Sequence, residues 1–488
     1  MKKRLLSMLL MLVMCFMLIT PAFAGAAETA PANTEATQQI STWAISDVSA
    51  GITYGIYPTG WTEKDMTGPI KQSQLRILLA GLRYKLLTSD CAEQSRYTIP
   101  KLSYSVTVEE ALNAFYSVLT DYDYTEDIGL NYGLSPVDYM KAIGVYTGQN
   151  GEQGLDERCS IEQAMVISSR LVTILYEGLG ASSKGFFWEV KSGENTVYLL
   201  GSIHIASPVI YPMSQRILQA FHSSDALIVE ALLNDESEML AYNELLTYTD
   251  GTTLKDHVSP EIYQLTVETG KLVGLTEEAI AMMKPWVLFL TFEVMASAGA
   301  GGADQNAEEQ NAEAQNAAAL GIDATLMNSA YMYQKPIYQI EGLLKQATIL
   351  DSLSPGTQEF FLLNNIVLLQ NAFSSEVEVN VNHANDFLNA TLEYWRKGDV
   401  EAFKKTMGGN SISALEEIAD EEIKGYLREW QDKFWTQRDK GMADYIDNLL
   451  KAEGSNSYFV VVGSGHYISE YSVTDMLTEM GYAVNQIK

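Results

Sequence analysis

Val197-Tyr198-Leu199-Leu200-Gly201-Ser202-Ile203-His204 and Phe459-Val460-Val461-Val462-Gly463-Ser464-Gly465-His466 decide the fold class of this chain. Each is an apolar run of strand length that stops at a glycine, with a histidine three residues further on. Uninterrupted apolar runs of this length fit strands buried on both faces, as in a sheet covered by helices. Outward from them, Phe187-Trp188-Glu189-Val190 and Ala226-Leu227-Ile228-Val229 read as further short strands, and the segments between carry helical patterning. The region 185–488 is therefore expected to be a mixed α/β domain. In such sheets, ligands and reacting groups collect at the carboxyl ends of the strands, which is where both Gly-x-x-His motifs fall.

Chemistry follows from residue type. The chain has only five histidines, and His204 and His466 are the matched pair. Glu230 directly follows the strand 226–229, where a buried carboxylate needs a cation, a metal or a cluster of donors. Two imidazoles and a carboxylate, with no thiolate on offer, suit a divalent transition metal. A metal with an open position favours hydrolysis. A Gly-x-Ser-x-Gly elbow, a His-Glu-x-x-His helix and a Cys-x-x-Cys pair are all absent from the sequence. The plainer alternatives are histidines that cap turns at the sheet edge and a glutamate in a structural ion pair. Asp323 reads either as a helix cap near Ala324 or as a site residue, and Arg438 as a stabiliser of developing negative charge or as half of a salt bridge. Glu470, four residues after His466, faces the same way if a helix follows the turn. Glu341 and Gln346 read as packing or hydrogen-bonding residues, and His222, His257 and His383 as outside any site.

On these residues, 187–204, 229–230 and 461–482, the region 185–488 resembles the TraB/GumN family, which includes the PrgY and Tiki proteins. Gly321-Ile322-Asp323, Gln339-Ile340-Glu341 with Gln346, and Arg438-Asp439 before Met442-Ala443 are similar to the family's intermediate motifs, with Asp439 where Asn is usual and Tyr467 where Leu is usual. The resemblance implies a mixed α/β (α+β) fold, Tiki-like and related to the erythromycin-esterase-like group. It also implies a site built from His204, His466 and Glu230, and metal-dependent peptidase chemistry as in animal Tiki members. Some bacterial members are linked to blocking peptide pheromones. The resulting expectation is an exported metal-dependent hydrolase of peptide or amide bonds. In it His204, His466 and Glu230 hold the metal, Glu230 is a ligand or the base that takes a proton from the attacking water, and Arg438 steadies the attacked carbonyl. The rival is a non-catalytic surface protein that sequesters peptides in the same cleft.

The remainder frames this domain. Residues 1–24 carry Lys2, Lys3 and Arg4, an apolar stretch and Ala22-Phe23-Ala24, the pattern of a signal peptide cleaved near Ala24; residues 25–40 read as a linker. No other stretch reaches the ~20 apolar residues of a transmembrane helix, so a secreted or wall-associated protein without a membrane anchor is expected. Residues 41–180 are mostly α, with apolar faces on Gln72–Leu87, Val108–Leu119 and Ile161–Tyr176. Trp43-Ala44, Gly55-Ile56-Tyr57-Pro58 and Trp61 before the first helix, and Val137 to Val145 before the third, resemble S-layer homology modules, which bind acidic wall polymers. The usual arginine is absent from both corresponding turns, 70–74 and 159–163. Residues 297–319, with Gln-Asn-Ala three times, read as a low-complexity insertion. A formal net charge of −30 makes nucleic acid an unsuitable partner. In an oxidising compartment Cys91 and Cys159 are candidates for a disulfide, with an unpaired state equally compatible with the sequence.

Overall fold

The structure, a computed structural model, describes residues 40–61, 64–89, 100–120, 133–148, 154–232, 236–297, 315–373, 378–407 and 418–488. The signal-peptide and linker readings, Cys91 and most of the low-complexity insertion fall outside these residues. Among the described residues the chain divides into two compact units: residues 40–183 together with Pro208–Arg216, and Lys184–Ser207 together with Ile217–Lys488. The short stretch 208–216 belongs to the N-terminal unit.

That unit is helical, with helices Ile45–Thr53, Gln72–Leu86, Val108–Leu119, Pro136–Ala142 and Ile161–Gly178. Two of them start at capping boxes, Thr107 with Glu110 and Ser160 with Gln163, so orphan backbone donors are satisfied locally, and at a third start Gln74 Oε1 accepts from the Lys71 N–H at 2.9 Å. The segments before these helices are tied by backbone hydrogen bonds, Ile70 N–H to the Cys159 carbonyl at 2.8 Å and Cys159 N–H to the Val106 carbonyl at 3.0 Å. Cys159 is a buried free thiol that donates to the Ser160 carbonyl at 3.4 Å, and burial pushes its pKa up to about 12.

The second unit is built on a six-stranded sheet. Its strands are β1 (Phe187–Ser192), β2 (Asn195–Ser202), β3 (Ala226–Val229), β4 (Ile337–Gln339), β5 (Ser457–Gly463) and β6 (Val484–Gln486), in the order β4-β3-β5-β2-β1-β6. β4, β3, β5 and β2 are mutually parallel, whereas β1 is antiparallel to both β2 and β6. The four strands read from the sequence are all present; β4 and β6, three residues each, are edge strands too short to show a period. All four residues of β3 and the last five of β5 are buried, which is why those runs are apolar without alternation. Helices cover both faces: the Phe221 ring lies 5.7 Å from that of Phe459 on one face, and Tyr467 lies 5.5 Å from Trp188 on the other. No helix among the described residues is long and apolar enough to cross a membrane.

Register positions the chemistry. Leu200 and Val229 both pair with Val461, and Ser202 with Gly463. The carboxyl ends of β2 and β5 are therefore level and β3 ends two residues earlier, so Ile203-His204, Glu230 and Ser464-Gly465-His466 leave the same end of the sheet.

Candidate active site

His204 leaves β2 with 4% of its surface exposed, and His466, in the short helix Ser464–Ile468, is fully buried. Each imidazole is held from behind by a carboxylate. His204 Nδ1 lies 3.0 Å from Asp323 Oδ1, and His466 Nδ1 lies 2.5 Å from Asp439 Oδ1. A carboxylate on Nδ1 places the proton there and turns Nε2 into the free electron-pair donor. Both Nε2 atoms are buried and lack a hydrogen-bond partner, which is costly unless something else occupies the space they face.

Glu230 stands between them. Its Oε1 accepts from Gln346 Nε2 at 2.8 Å and from the Arg438 guanidinium, and its Oε2 accepts from the Gly463 N–H at 3.1 Å. His466 Nε2 is 4.0 Å from Glu230 Oε1. Arg438 also donates through Nε to Glu341 Oε2 at 2.8 Å, so one guanidinium bridges two buried carboxylates. Burial by itself would raise the Glu230 pKa, but Arg438, then His466, His204 and the Gly463 N–H, bring it down to about 2. Burial likewise works against the charged His204 imidazole, yet the adjoining Asp323 and the nearby Glu230 lift its pKa above the ordinary 6.5. The two supporting carboxylates differ. Burial opposes the ionised form of both, but contact with His204 and Ser202 lowers the Asp323 pKa, whereas burial prevails at Asp439 and raises it.

Local structure explains these placements. The helix Ile322–Met332 takes its N-cap from Gly321, without a side-chain cap. Asp323, in its first turn, instead accepts from the Ser202 hydroxyl at 2.6 Å and supports His204, so the capping role open to it in the sequence is not the one it takes. Arg438 and Asp439 follow a π-helical turn, Gln431–Thr436, set between the helices Glu421–Trp430 and Gln437–Leu450. Such turns shift helical register by one residue. Here the turn carries Phe434, whose ring centroid is 4.6 Å from Arg438 Cζ, and Trp435, 5.1 Å from the His466 ring. The neighbours Arg438 and Asp439 are both buried, one meeting the glutamates and the other His466.

Of the expected residues, His204, His466, Glu230, Arg438 and Asp323 come together. Glu470 does not: the helix after β5 ends at Ile468, and Glu470 is exposed beyond it. Arg438, expected to steady a carbonyl, is instead the counter-ion of Glu230 and Glu341. Three members of the group, Gln346, Glu341 and Asp439, were not assigned to the site from sequence. Among the described residues no three His, Cys, Asp or Glu side chains form a ready ligand set; Glu230 Oε1 is already engaged by Arg438 and Gln346. The donor set nonetheless fits a cation. Four buried carboxylates, Glu230, Asp323, Glu341 and Asp439, face the buried Arg438 and the ammonium of Lys345, 3.3 Å from Glu341. Two negative charges remain, to be balanced by a dication or by two imidazolium protons. In the N-terminal unit, Val108 and Ile161, the first residues of two capped helices, are buried apolar side chains.

Residues 186–486 match the model of the TraB/PrgY/gumN family. The chain is 22% identical to the metalloprotease TIKI1 of Danio rerio over 61% of its length and 62% of the relative's. It is 23% identical to the metalloprotease TIKI homolog of Nematostella vectensis, over 62% of its length and 67% of the relative's. A third relative, the uncharacterized protein YbaP of Escherichia coli, is 24% identical over 32% of this chain and 53% of its own length. The chain thus spans about three fifths of the first of these relatives. No solved structure matches. With more than half of its residues inside the family match, and with both Gly-x-x-His strands and Glu230 drawn to one sheet edge within that match, the chain belongs to the TraB/PrgY/gumN family.

Proposed function

We propose that the protein is a metal-dependent hydrolase of peptide or amide bonds. The observation that carries this reading is the pair of buried, unpartnered Nε2 atoms of His204 and His466, each on an imidazole whose Nδ1 rests on a carboxylate. His204, His466 and Glu230 Oε2 would hold a divalent transition metal, which when bound supplies Lewis acidity toward a carbonyl and toward water.

The chain's own groups have distinct tasks. Asp323 and Asp439 fix the ring orientation and the tautomer of the two imidazoles. Ser202 holds Asp323 in turn. Arg438 and Gln346 take Glu230 Oε1 and leave Oε2, bonded to the Gly463 N–H, facing the space beside the imidazoles. A carboxylate that stays ionised down to about pH 2 serves better as an anionic ligand than as a base near neutrality. The similarity to TIKI metalloproteases supports a peptide or protein as substrate. Export and a wall-facing location remain part of the proposal. For the N-terminal unit we infer a structural role, because the turns 70–74 and 159–163 lack the usual arginine and Ile161, in the second of them, is a buried apolar side chain.

The test is metal content by mass spectrometry on the purified protein, followed by a peptide-cleavage screen with and without chelator. Near-stoichiometric metal and chelator-sensitive cleavage are expected. Absence of metal after anaerobic reconstitution with several divalent ions would sink the reading, and intact peptide bound in a chelator-insensitive way would favour the sequestering alternative. Protons and a dication compete for the same charge deficit, so pH gives a second readout. The raised His204 pKa makes its protonated form stabilising below the ordinary 6.5, and this contribution is lost as pH rises through the folded value. Added metal should therefore raise the melting temperature more at pH 8 than at pH 6, with proton release on binding; an equal shift at both values contradicts the competition.

A further inference from the structure

The two Gly-x-x-His motifs look equivalent in sequence, but their glycines face different surroundings. A Cβ on Gly201 would fall 2.8 Å from Ser464 Oγ and 3.1 Å from Ser464 Cα, and one on Gly465 would fall 2.7 Å from the Trp435 ring. Both glycines are there for packing: a neighbouring backbone or ring comes too close for any side chain. Gly463 is unlike either. A Cβ there would meet His204 Nε2 at 3.5 Å, Glu230 Oε2 at 3.6 Å and His466 Cδ2, the ring carbon bonded to Nε2, at 3.6 Å. These are ordinary contact distances. The Gly463 backbone, φ −50° and ψ 136°, is open to any L-residue. Neither sterics nor conformation demands glycine at this position.

What glycine does there is leave empty the one volume that the two imidazoles and the carboxylate oxygen share. We propose that Gly463 reserves the seat of the bound cation and of the ligand that joins it, so that a single methyl group at this position blocks the site from within while the fold persists. The proposal rests on the metal reading of the site. It assigns the glycines separate roles, with Gly201 and Gly465 closing the packing and Gly463 clearing the seat. The same Gly463 N–H, bonded to Glu230 Oε2, keeps that oxygen turned toward the space.

The experiment titrates Zn2+ into the full-length wild type, Gly463→Ala and a control Gly425→Ala, whose added Cβ would meet nothing within 4 Å. Each protein is first shown to keep its circular dichroism spectrum and melting behaviour. Wild type and control should bind alike, and Gly463→Ala should bind at least ~10-fold more weakly, since each ligand bond is only ~2 Å long and the methyl group stands within reach of all three donors. Equal binding by a folded Gly463→Ala overturns the proposal. Absence of binding by the wild type overturns the metal reading itself, a distinguishable result. A measurement on the unaltered chain covers the case of a variant that does not fold: with glycines labelled by 15N, loading Co2+ should broaden the Gly463 amide signal and leave that of Gly425 sharp. A sharp Gly463 signal at full loading also overturns it.

Discussion

Replacing Arg438 with alanine is expected to lower the unfolding free energy by about 3–5 kcal/mol, as for a buried ion pair stripped of one partner. Arg438 is 1% exposed and is the one buried guanidinium serving both Glu230 and Glu341. Its removal leaves the buried Glu230 carboxylate without its counter-ion and Glu341 with only Lys345, at the cost of desolvated charge. The sign of the pH dependence follows from Glu230. In the intact protein its pKa falls from the ordinary 4.5 to about 2, so its stabilising contribution is complete above 4.5 and is lost as pH falls through about 2. In the alanine variant the strongest opposing charge is gone, only His466, His204 and the Gly463 N–H still work against burial, and the Glu230 pKa rises. The stability gap should therefore be widest at pH 7 and should close as pH falls from 4.5 toward 2, where both proteins carry a neutral Glu230. Denaturant unfolding at pH 7 and pH 3 measures it. Arg438→Lys keeps a charge but not a fork that spans two carboxylates, and should lie between. A loss below about 1 kcal/mol, or one independent of pH, would place the pair among weakly contributing contacts.

That Arg438 belongs with Glu230 was only half legible in the sequence. The strands that bear the site were legible, because buried strands are written as apolar runs, in β3 without a break and in β2 and β5 leading to a glycine. His204, His466 and Glu230 were legible for the same reason: each follows such a run, and parallel pairing brings the run ends to the same end of the sheet. The supporting residues carry no comparable mark. Asp439 sits inside a helix, and whether it faces His466 depends on the π-helical turn at 431–436, which shifts register without a sequence period of its own. Gln346 and Glu341 reach the site only because β4 pairs beside β3, and a three-residue edge strand is below the length at which alternation can be seen. Asp323 was ambiguous because a carboxylate at a helix start is commonly a cap; Gly321 took that position and freed Asp323 for His204. Glu470 is exposed for a related reason, since the helix that carries His466 stops at Ile468.

The paired carboxylates lead to the other large effect. Replacing both His204 and His466 with alanine removes the two nitrogen donors and should abolish stoichiometric metal, whereas Asp323→Asn or Asp439→Asn keeps the donors and loosens their support. Loss of a carboxylate behind a ligating imidazole costs about 10–100-fold in metal affinity. Together the two Asn substitutions should cost somewhat less than the product, because both imidazoles adjoin Glu230 and are not independent. Stability separates the two positions where metal binding does not. Asp323 has a lowered pKa, so its charge stabilises the fold above the ordinary 3.8 and the contribution is lost as pH falls. Asp439 has a raised pKa, so its charge is held against the preference of its surroundings at neutral pH. Asp323→Asn should therefore weaken metal binding and lower the melting temperature of the metal-free protein at pH 7. Asp439→Asn should weaken metal binding while leaving that temperature unchanged or higher. Zn2+ titration beside thermal melts of the metal-free proteins reads both quantities. If Asp439→Asn bound metal like the wild type, the carboxylate at 2.5 Å from His466 would be a packing partner only, and the symmetry of the two histidines would not extend to their function.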